Sequence, residues 1–307
     1  MKVKNVLTIR KGEWLEFTVP SDWHGQTIES LLRTMWNSPK KWLHQLRMEK
    51  GVRVNGETVS WQTRLQKNDR FQIWVYKPET SDILPNYQEL DILWEDEHLI
   101  VVNKAAGMEV HPTSPNQTNT LSNIVAAYFQ TKGIFTKVRH IHRLDRDTSG
   151  AILFAKHALA GAILDRMLEQ RQIKRTYVAL VHGILKEKSG SIDAPIGRDR
   201  HHPTRRRVSK TGLAAVTHYR VLDTDFKKQT SLVELTLETG RTHQIRVHMS
   251  YIGHPLVGDL LYGGSAQPLS RQALHAFKLD FPHPFTNEFI RCVAPCNDKW
   301  LPNTLWS

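Results

Sequence analysis

The stretch KPETSDILPNYQE, residues 77–89, interrupts the apolar patterning on either side of it with proline, serine, asparagine and acidic residues. Such a run breaks helices and strands, so the elements before and after it belong to separate patterns. The simplest reading is a linker between two units.

Before the break the elements are short. Ile28, Leu31, Leu32 and Met35 recur at helical spacing. Ser38 and Pro39 then offer an N-cap and a first-turn proline to a second helix, which carries Trp42, Leu43 and Leu46 and stops at Gly51. Val52-Arg53-Val54 and Glu57-Thr58-Val59 flank Asn55-Gly56, a pair that favours the tight turn of a hairpin. After a turn at Asp69, residues Phe71 to Val75 alternate as a strand. Two short helices and a small sheet make a compact module.

After the break, Asp91 to Lys104 reads as two strands joined by the polar turn Glu95 to His98. Residues 150–183 read strand, helix, strand, the helix placing Leu159, Ile163 and Met167 on one side. Val233, Leu235 and Leu237 face one way in a further strand, with Glu234, Thr236 and Glu238 opposite. The chain turns at Gly240, and Ile245, Met249 and Ile252 take up helical spacing. Thr242 is placed to cap that helix, and Gly253 with Pro255 to end it.

The chain carries 42 Lys and Arg against 30 Asp and Glu, a net charge of +12. An excess of that size draws a polyanion through counterion release. Residues 1–80 already hold 14 basic against 8 acidic residues, so both units are basic. Nucleic acid is the leading partner, since no lysine-rich amphipathic helix supports a membrane surface. No stretch approaches the roughly 18 apolar residues of a spanning helix. The start, MKVKNVLTIRKGEW, lacks the apolar core and cleavage site of a secretory signal, and the cytoplasm is the default location. Cys292 and Cys296 have no second pair to complete a tetrahedral metal site and read as reduced bystanders.

The segment HIHRLDRDTSG, residues 140–150, sets Asp145 among His140, His142, Arg143 and Arg146. A carboxylate among cations stays ionised well below neutral pH. That suits a nucleophile or electrostatic stabiliser better than a general acid. On spacing alone, a structural ion pair is the commoner fate of such a residue. His140, His142, His243 and His248 lack metal-ligand spacing. Phosphate-binding, dinucleotide-binding and serine-hydrolase glycine motifs are missing as well. A metal-dependent nuclease lacks its clustered acidic ligands. A cofactor-free reaction remains.

HRLDRDTSGAILFAK closely resembles the catalytic motif of the RluA-type pseudouridine synthases, enzymes that convert selected uridines in structured RNA into pseudouridine. EDEHLIVVNKAAGMEVHP, RTYVALVHG, TGRTHQIRVHMSYIGHPLVGDLLYG and LHAFKLDFPHPFT agree with that family in order and context. Residues 12–76, with GVRVNGETV and KNDRFQIWV, resemble the S4-type RNA-binding module. Lys40, Lys41, Arg47 and Lys50 lie where a phosphate backbone could cross that module's second helix.

The resemblance implies roles for single residues. Asp145 falls on the family's aspartate nucleophile, and Arg246 on the arginine that pairs with it. Tyr177 falls on the tyrosine that stacks on the target base, and Arg143 on the arginine that enters the RNA helix when the base leaves. Arg205, Arg206 and Arg207, in RDRHHPTRRRVSK, read as a loop against phosphates. The family's usual Lys-Pro appears as Lys104-Ala105, which puts only the local turn in question.

The expected fold class is therefore α+β. A pseudouridine synthase fold, a large mixed, mainly antiparallel sheet with flanking helices, is expected over residues 90–307. A linker over 77–89 joins it to a small N-terminal S4-like α/β RNA-binding module over 12–76. The fold of the second unit is what the resemblance implies; periodicity alone gives alternating strands and helices. The expected substrate is large-subunit ribosomal RNA, with transfer RNA second, served by a monomer without cofactor, metal or membrane. The rival reading is a non-catalytic RNA-binding or ribosome assembly protein. It would be expected to have lost the aspartate, the tyrosine or the second arginine, and this chain has all three.

Overall fold

The computed structural model describes residues 8–265 and 269–301; residues 1–7 of the basic start, and 302–307 at the end of the expected second unit, lie outside the described residues. Strands β1 (Thr8–Lys11), β2 (Trp14–Thr18), β3 (Val52–Val54), β4 (Glu57–Thr58) and β5 (Arg70–Trp74) form an antiparallel sheet in the order β1-β2-β5-β3-β4. Asn55 and Gly56 both take positive φ, 54° and 94°, and close the hairpin that pairs Val54 with Glu57.

The helices of this module depart from the sequence reading in two places. Helix α1 (Ile28–Ser30), capped by Thr27 Oγ1 accepting from the Ser30 N–H, runs into a π-helical turn over Leu31–Met35. In that wider turn the Trp36 N–H bonds to Leu31 O, so Met35 swings out to 45% exposure and Trp36 is buried in its place. Helix α2 (Lys40–Met48) starts with Pro39 as its N-cap, one position later than Ser38. Ser38 cannot cap because the preceding π turn draws it inward: its N–H bonds to Leu32 O, and its hydroxyl is buried without a partner.

The second sheet has ten strands. They are β6 (Ile92–Glu95), β7 (Leu99–Lys104), β8 (Arg139–His140), β9 (Ser149–Ala155), β10 (Lys174–His182), β11 (Ser189–Asp193), β14 (Val216–Asp225), β15 (Thr230–Leu237), β16 (Leu274–Pro282) and β17 (Phe289–Val293). A separate pair is formed by β12 (Ile196–Arg198) and β13 (Arg206–Val208). The main order is β11-β14-β15-β10-β16-β9-β7-β6, with β8 on β9 and β17 on β16. Every pairing is antiparallel except β16 with β9. Helices α3 (Leu121–Thr131), α4 (Ala158–Glu169) and α5 (Gln244–Tyr251) flank the sheet, as an α+β chain requires.

The parallel contact is short, joining Ser149 to His275 and Gly150 to Ala276. Gly150 has φ 115°, and a Cβ there would lie 2.2 Å from the Ala276 carbonyl oxygen. Only glycine lets β9 enter the sheet at this point.

Residues 77–89 hold no helix or strand, yet they are tied down along their length. Glu79 accepts from Arg139 at 2.8 Å, and Asn86 N–H and Leu84 O both bond to Asn123. Apolar packing also runs between the two sheets, with Trp36 edge-on to Phe285 at 5.1 Å and Phe17 at 6.1 Å from both Phe285 and His98. One core therefore continues through both.

At this junction two fully buried histidines meet. His157 Nδ1 accepts from the Ala160 N–H and caps α4, so its proton lies on Nε2 and is donated to His98 Nδ1 at 3.2 Å. Burial, first of all, pushes His98 down to about 3 and His157 well below its ordinary value of 6.5. Both rings regain the ordinary value in the unfolded chain, which therefore binds protons first as the pH falls. Stability is thus complete above pH 6.5 and declines as the pH drops from there towards 3. We expect a loss of about 2 kcal/mol per ring at pH 5, read as a fall in the urea midpoint between pH 7.5 and 5. His157→Ser, which keeps a capping oxygen, should flatten that fall.

Candidate active site

Asp145 sits in a turn closed by the Thr148 N–H on Asp145 O at 3.0 Å, between β8 and β9. Three buried or half-buried groups hold the turn by its carbonyls and hydroxyls. Lys104, 1% exposed, donates from Nζ to Ala105 O, Met108 O and Arg146 O at 2.7–2.9 Å. Arg271 Nη1 donates to Asp147 O at 2.8 Å, and Gln272 Nε2 reaches Thr148 Oγ1 at 3.4 Å. Burial pushes the Lys104 amine down to about 7, with the charges of Asp147 and Asp145 opposing the shift. The turn after Lys104 forms without proline: Ala105 supplies a carbonyl to the lysine, and Gly107 turns the chain at φ 82°.

The partner of Asp145 is not among its sequence neighbours. Arg143 and Arg146 are exposed, and neither pairs with it among the described residues. Arg246, on α5, donates from Nη1 to Asp145 Oδ2 at 3.1 Å. Its other two nitrogens grip Asp259, Nε on Oδ2 at 2.7 Å and Nη2 on Oδ1 at 2.9 Å. Asp259 is 2% exposed, so the fork has no competing water and its geometry is fixed. Burial opposes the charge on Arg246, but the hydrogen bonds and charges of Asp259 and then Asp145 raise it above the ordinary arginine range.

The entry to α5 differs from the sequence reading. Thr242 does not cap; His243 is the N-cap residue, in the left-handed conformation at φ 58°. The cause is Gln244, whose Oε1 accepts from Thr239 Oγ1 at 2.7 Å and the Arg241 N–H at 3.0 Å and so tightens the turn. The left-handed residue brings His243 Nε2 to 3.9 Å from Asp145 Oδ2. Its Nδ1 lies 2.8 Å from the Tyr262 hydroxyl, which also accepts the Arg206 N–H at 2.9 Å. With the Tyr262 hydroxyl accepting from Arg206 and donating to Nδ1, the ring proton lies on Nε2, facing the aspartate. Burial lowers the His243 pKa and keeps that ring neutral near pH 7.

Asp145, Arg246 and His243 line a cavity of about 990 Å³ that is also lined by Tyr177, Arg143 and Arg175. The structure thus brings Asp145, Arg246, Tyr177 and Arg143 together. Tyr177 is buried in β10, and burial raises its phenol pKa, with Arg175 opposing and Asp145 adding to the rise.

The expected RNA-contact residues lie apart from one another. Lys40 and Lys41 are exposed in the first turn of α2, where the helix dipole disfavours cations unless an anion lies near. Arg47 pairs with Glu29 at 3.2 Å and lies over the Trp61 ring, and Lys50 is exposed beyond the helix end at φ 51°. The run from Arg205 to Arg207 is not the expected loop. Arg206 and Arg207 belong to β13, paired with Arg198 and Gly197, and Arg205 is fixed to Asp199 by an ion pair of 2.6 Å. Both pairings use partners upstream of the run, which its charge pattern conceals.

Among the described residues one cluster has metal-ligand chemistry: Asp96, His98 and His283 bring ligand atoms within 4.8 Å of one another. Its protons argue against a metal. His283 Nδ1 accepts from the Thr286 N–H, so its Nε2–H donates to Asp96 Oδ2 at 2.8 Å, and the His98 proton already lies on Nε2. Both nitrogens that would have to ligate carry hydrogens.

Sequence reasoning gave no role in this site to Asp259, His243, Tyr262 or Lys104. Asp259 lies inside the family-like segment GHPLVGDLLYG, but no local spacing links it to Arg246. Asp259→Ala leaves a buried arginine with one exposed-side partner. We expect it to cost about 3–5 kcal/mol of stability, seen in denaturant unfolding, and to lower single-turnover activity as Arg246 loses its fixed aim.

Comparison with known proteins agrees with this geometry. Residues 98–251 match the sequence profile of the RNA pseudouridylate synthases, and residues 15–71 match the RluD ribosomal pseudouridine synthase N-terminal domain. The RNA pseudouridine synthase YhcT of Bacillus subtilis is 50% identical over 286 residues, 93% of this chain and 95% of that protein. Ribosomal large subunit pseudouridine synthase D of Nitrosomonas europaea is 37% identical across 92% of this chain and 85% of its own length. Among solved structures, human RNA pseudouridylate synthase domain containing 1 has a TM-score of 0.57 at 30% identity, covering 70% of this chain and 85% of that one. The chain therefore belongs to the RNA pseudouridylate synthase family, whose members turn uridine into pseudouridine within RNA.

Proposed function

We propose that this synthase acts on large-subunit ribosomal RNA and uses Asp145 as its nucleophile. The substrate reading rests on the relatives named ribosomal large subunit pseudouridine synthase D and on the RluD-type match over residues 15–71. The observation that carries the chemistry is the single arginine shared by Asp145 and the buried Asp259 at the cavity wall.

Isomerisation breaks the N1–C1′ bond, turns the uracil and joins C5 to C1′. No net oxidation occurs, so the reaction needs a charged group, a base-holding surface and a proton acceptor rather than a redox partner. Asp145 supplies the charge. Its Oδ2 is held by Arg246, while Oδ1 has no hydrogen bond among the described residues and is left for the nucleotide. From there the carboxylate serves either by attacking the nucleotide or by removing a ribose proton. Tyr177, kept neutral by burial, offers its ring face to the base. Once C5 is bonded to C1′, its remaining proton must leave; Tyr177 is assigned to relay it, taking the C5 proton as its own phenol proton passes to solvent in the cavity.

The base must first leave its stack, at a cost of about a few kcal/mol. Arg143, exposed at the cavity wall, is suited to fill the vacancy. Residues 12–76 form the RNA-gripping unit through Lys40, Lys41, Arg47 and Lys50, and 90–307 the catalytic unit, with 77–89 between them. Arg206 and Arg207 extend the grip from β13.

Deleting the protein from its host and mapping pseudouridine should leave a gap in large-subunit ribosomal RNA; a gap confined to transfer RNA would overturn the substrate reading. Asp145→Asn should bind that RNA with unchanged affinity and form no pseudouridine, and turnover by this variant would remove Asp145 from the mechanism. Arg143→Ala should lose more rate on the folded RNA than on an unstructured fragment carrying the same uridine, and equal losses would argue against a flipping role.

A further inference from the structure

Two arginines are buried among the described residues, and their surroundings are opposite. Arg246 faces two carboxylates. Arg175, 8% exposed, has none: its Nε is buried without a partner, and Nη2 makes one long bond of 3.4 Å to Thr239 O. A guanidinium withdrawn from water without a counter-charge is costly, and such a group persists where a ligand completes it.

No ion pair joins Arg175 to an acid among the described residues, and two carboxylates of the same cavity are turned to other cations. Glu238 pairs with Arg171 and His218, and Asp145 with Arg246. The wall at Gly240 is shaped around the guanidinium, since a Cβ there would lie 2.7 Å from Nη1. Arg175 also lines the cavity that holds Asp145.

Its place on β10 defines what it meets. Arg175 and Tyr177 are two residues apart in one strand, so their side chains point to the same face, about 6.6 Å apart along it. That spacing matches the distance from a nucleobase to the phosphate of its own nucleotide.

We propose that Arg175 is an anion subsite that takes a backbone phosphodiester flanking the uridine stacked on Tyr177. The flipped nucleotide is then held at both ends, its base on the tyrosine and its phosphate on the buried guanidinium, with C1′ presented to Asp145 between them. The planar fork of arginine suits two phosphate oxygens, and water is excluded from the contact. This subsite rests on the reading of the cavity as the uridine site.

The test uses the full-length protein and a short folded RNA carrying the uridine found by the mapping experiment. One flanking linkage at a time, 5′ or 3′ of the target, is replaced by a neutral methylphosphonate, and single-turnover rates are measured for the native protein, Arg175→Lys and Arg175→Met. The native protein should lose roughly ten- to hundredfold on one of the two neutral RNAs. Arg175→Met should lose a similar factor on the all-phosphate RNA and nothing further on that neutral one, with Arg175→Lys in between. Losses that multiply, or a native rate indifferent to both neutral linkages, would overturn the subsite. If Arg175→Met does not fold, the native protein on the two neutral RNAs decides alone. A native protein that forms no pseudouridine on any RNA would end the functional reading as well, whereas indifference to the linkages ends this inference only.

Discussion

One guanidinium, shared by two carboxylates, is the constraint on which the site depends. Arg246 gives its fork to Asp259 and its remaining amine to Asp145. The buried pair does the positioning, because a fork held on both prongs cannot rotate away from the third contact. The half-exposed aspartate therefore receives a directed charge without having to be buried itself. Asp145 is thus accessible on one side and fixed on the other, which suits either role proposed for it, attack on the nucleotide or removal of a ribose proton.

Backbone arrangement brings these side chains together. Asp145 lies in the turn that leads into β9, Tyr177 on β10, and Arg246 on the helix that follows β15. Lys104 and Arg271 bind the carbonyls of the aspartate turn, so buried cations from distant strands set the backbone that carries it. At the start of α4, the stacked His98 and Phe285 and the paired His157 join the N-terminal sheet to this scaffold. The N-terminal module and the site around Asp145 thus share one core.

Much of the fold was legible. The Asn55-Gly56 hairpin, the strands β6 and β7 around their polar turn, and the β9-α4-β10 succession follow from local spacing and turn chemistry, and all form. What failed was decided by contacts distant in sequence. Met35 matched helical spacing, but Trp36 had Phe17 and Phe285 to pack on and took the inside position. Thr242 was the better capping residue by type, but the Gln244 side chain had already fixed the turn. The four residues gathered at the cavity are ones that motif resemblance named. Asp259, His243 and Arg175 carry no local signature, because their meaning comes from partners or vacancies that exist only in the folded chain.

The large sheet is two antiparallel halves welded at a seam of two residue pairs, His275 with Ser149 and Ala276 with Gly150. The aspartate hangs from one half, and its arginine and the tyrosine from the other. Joining β16 to β9 is therefore what sets Asp145 opposite Arg246 and Tyr177, and neither half of the sheet holds the three side chains by itself.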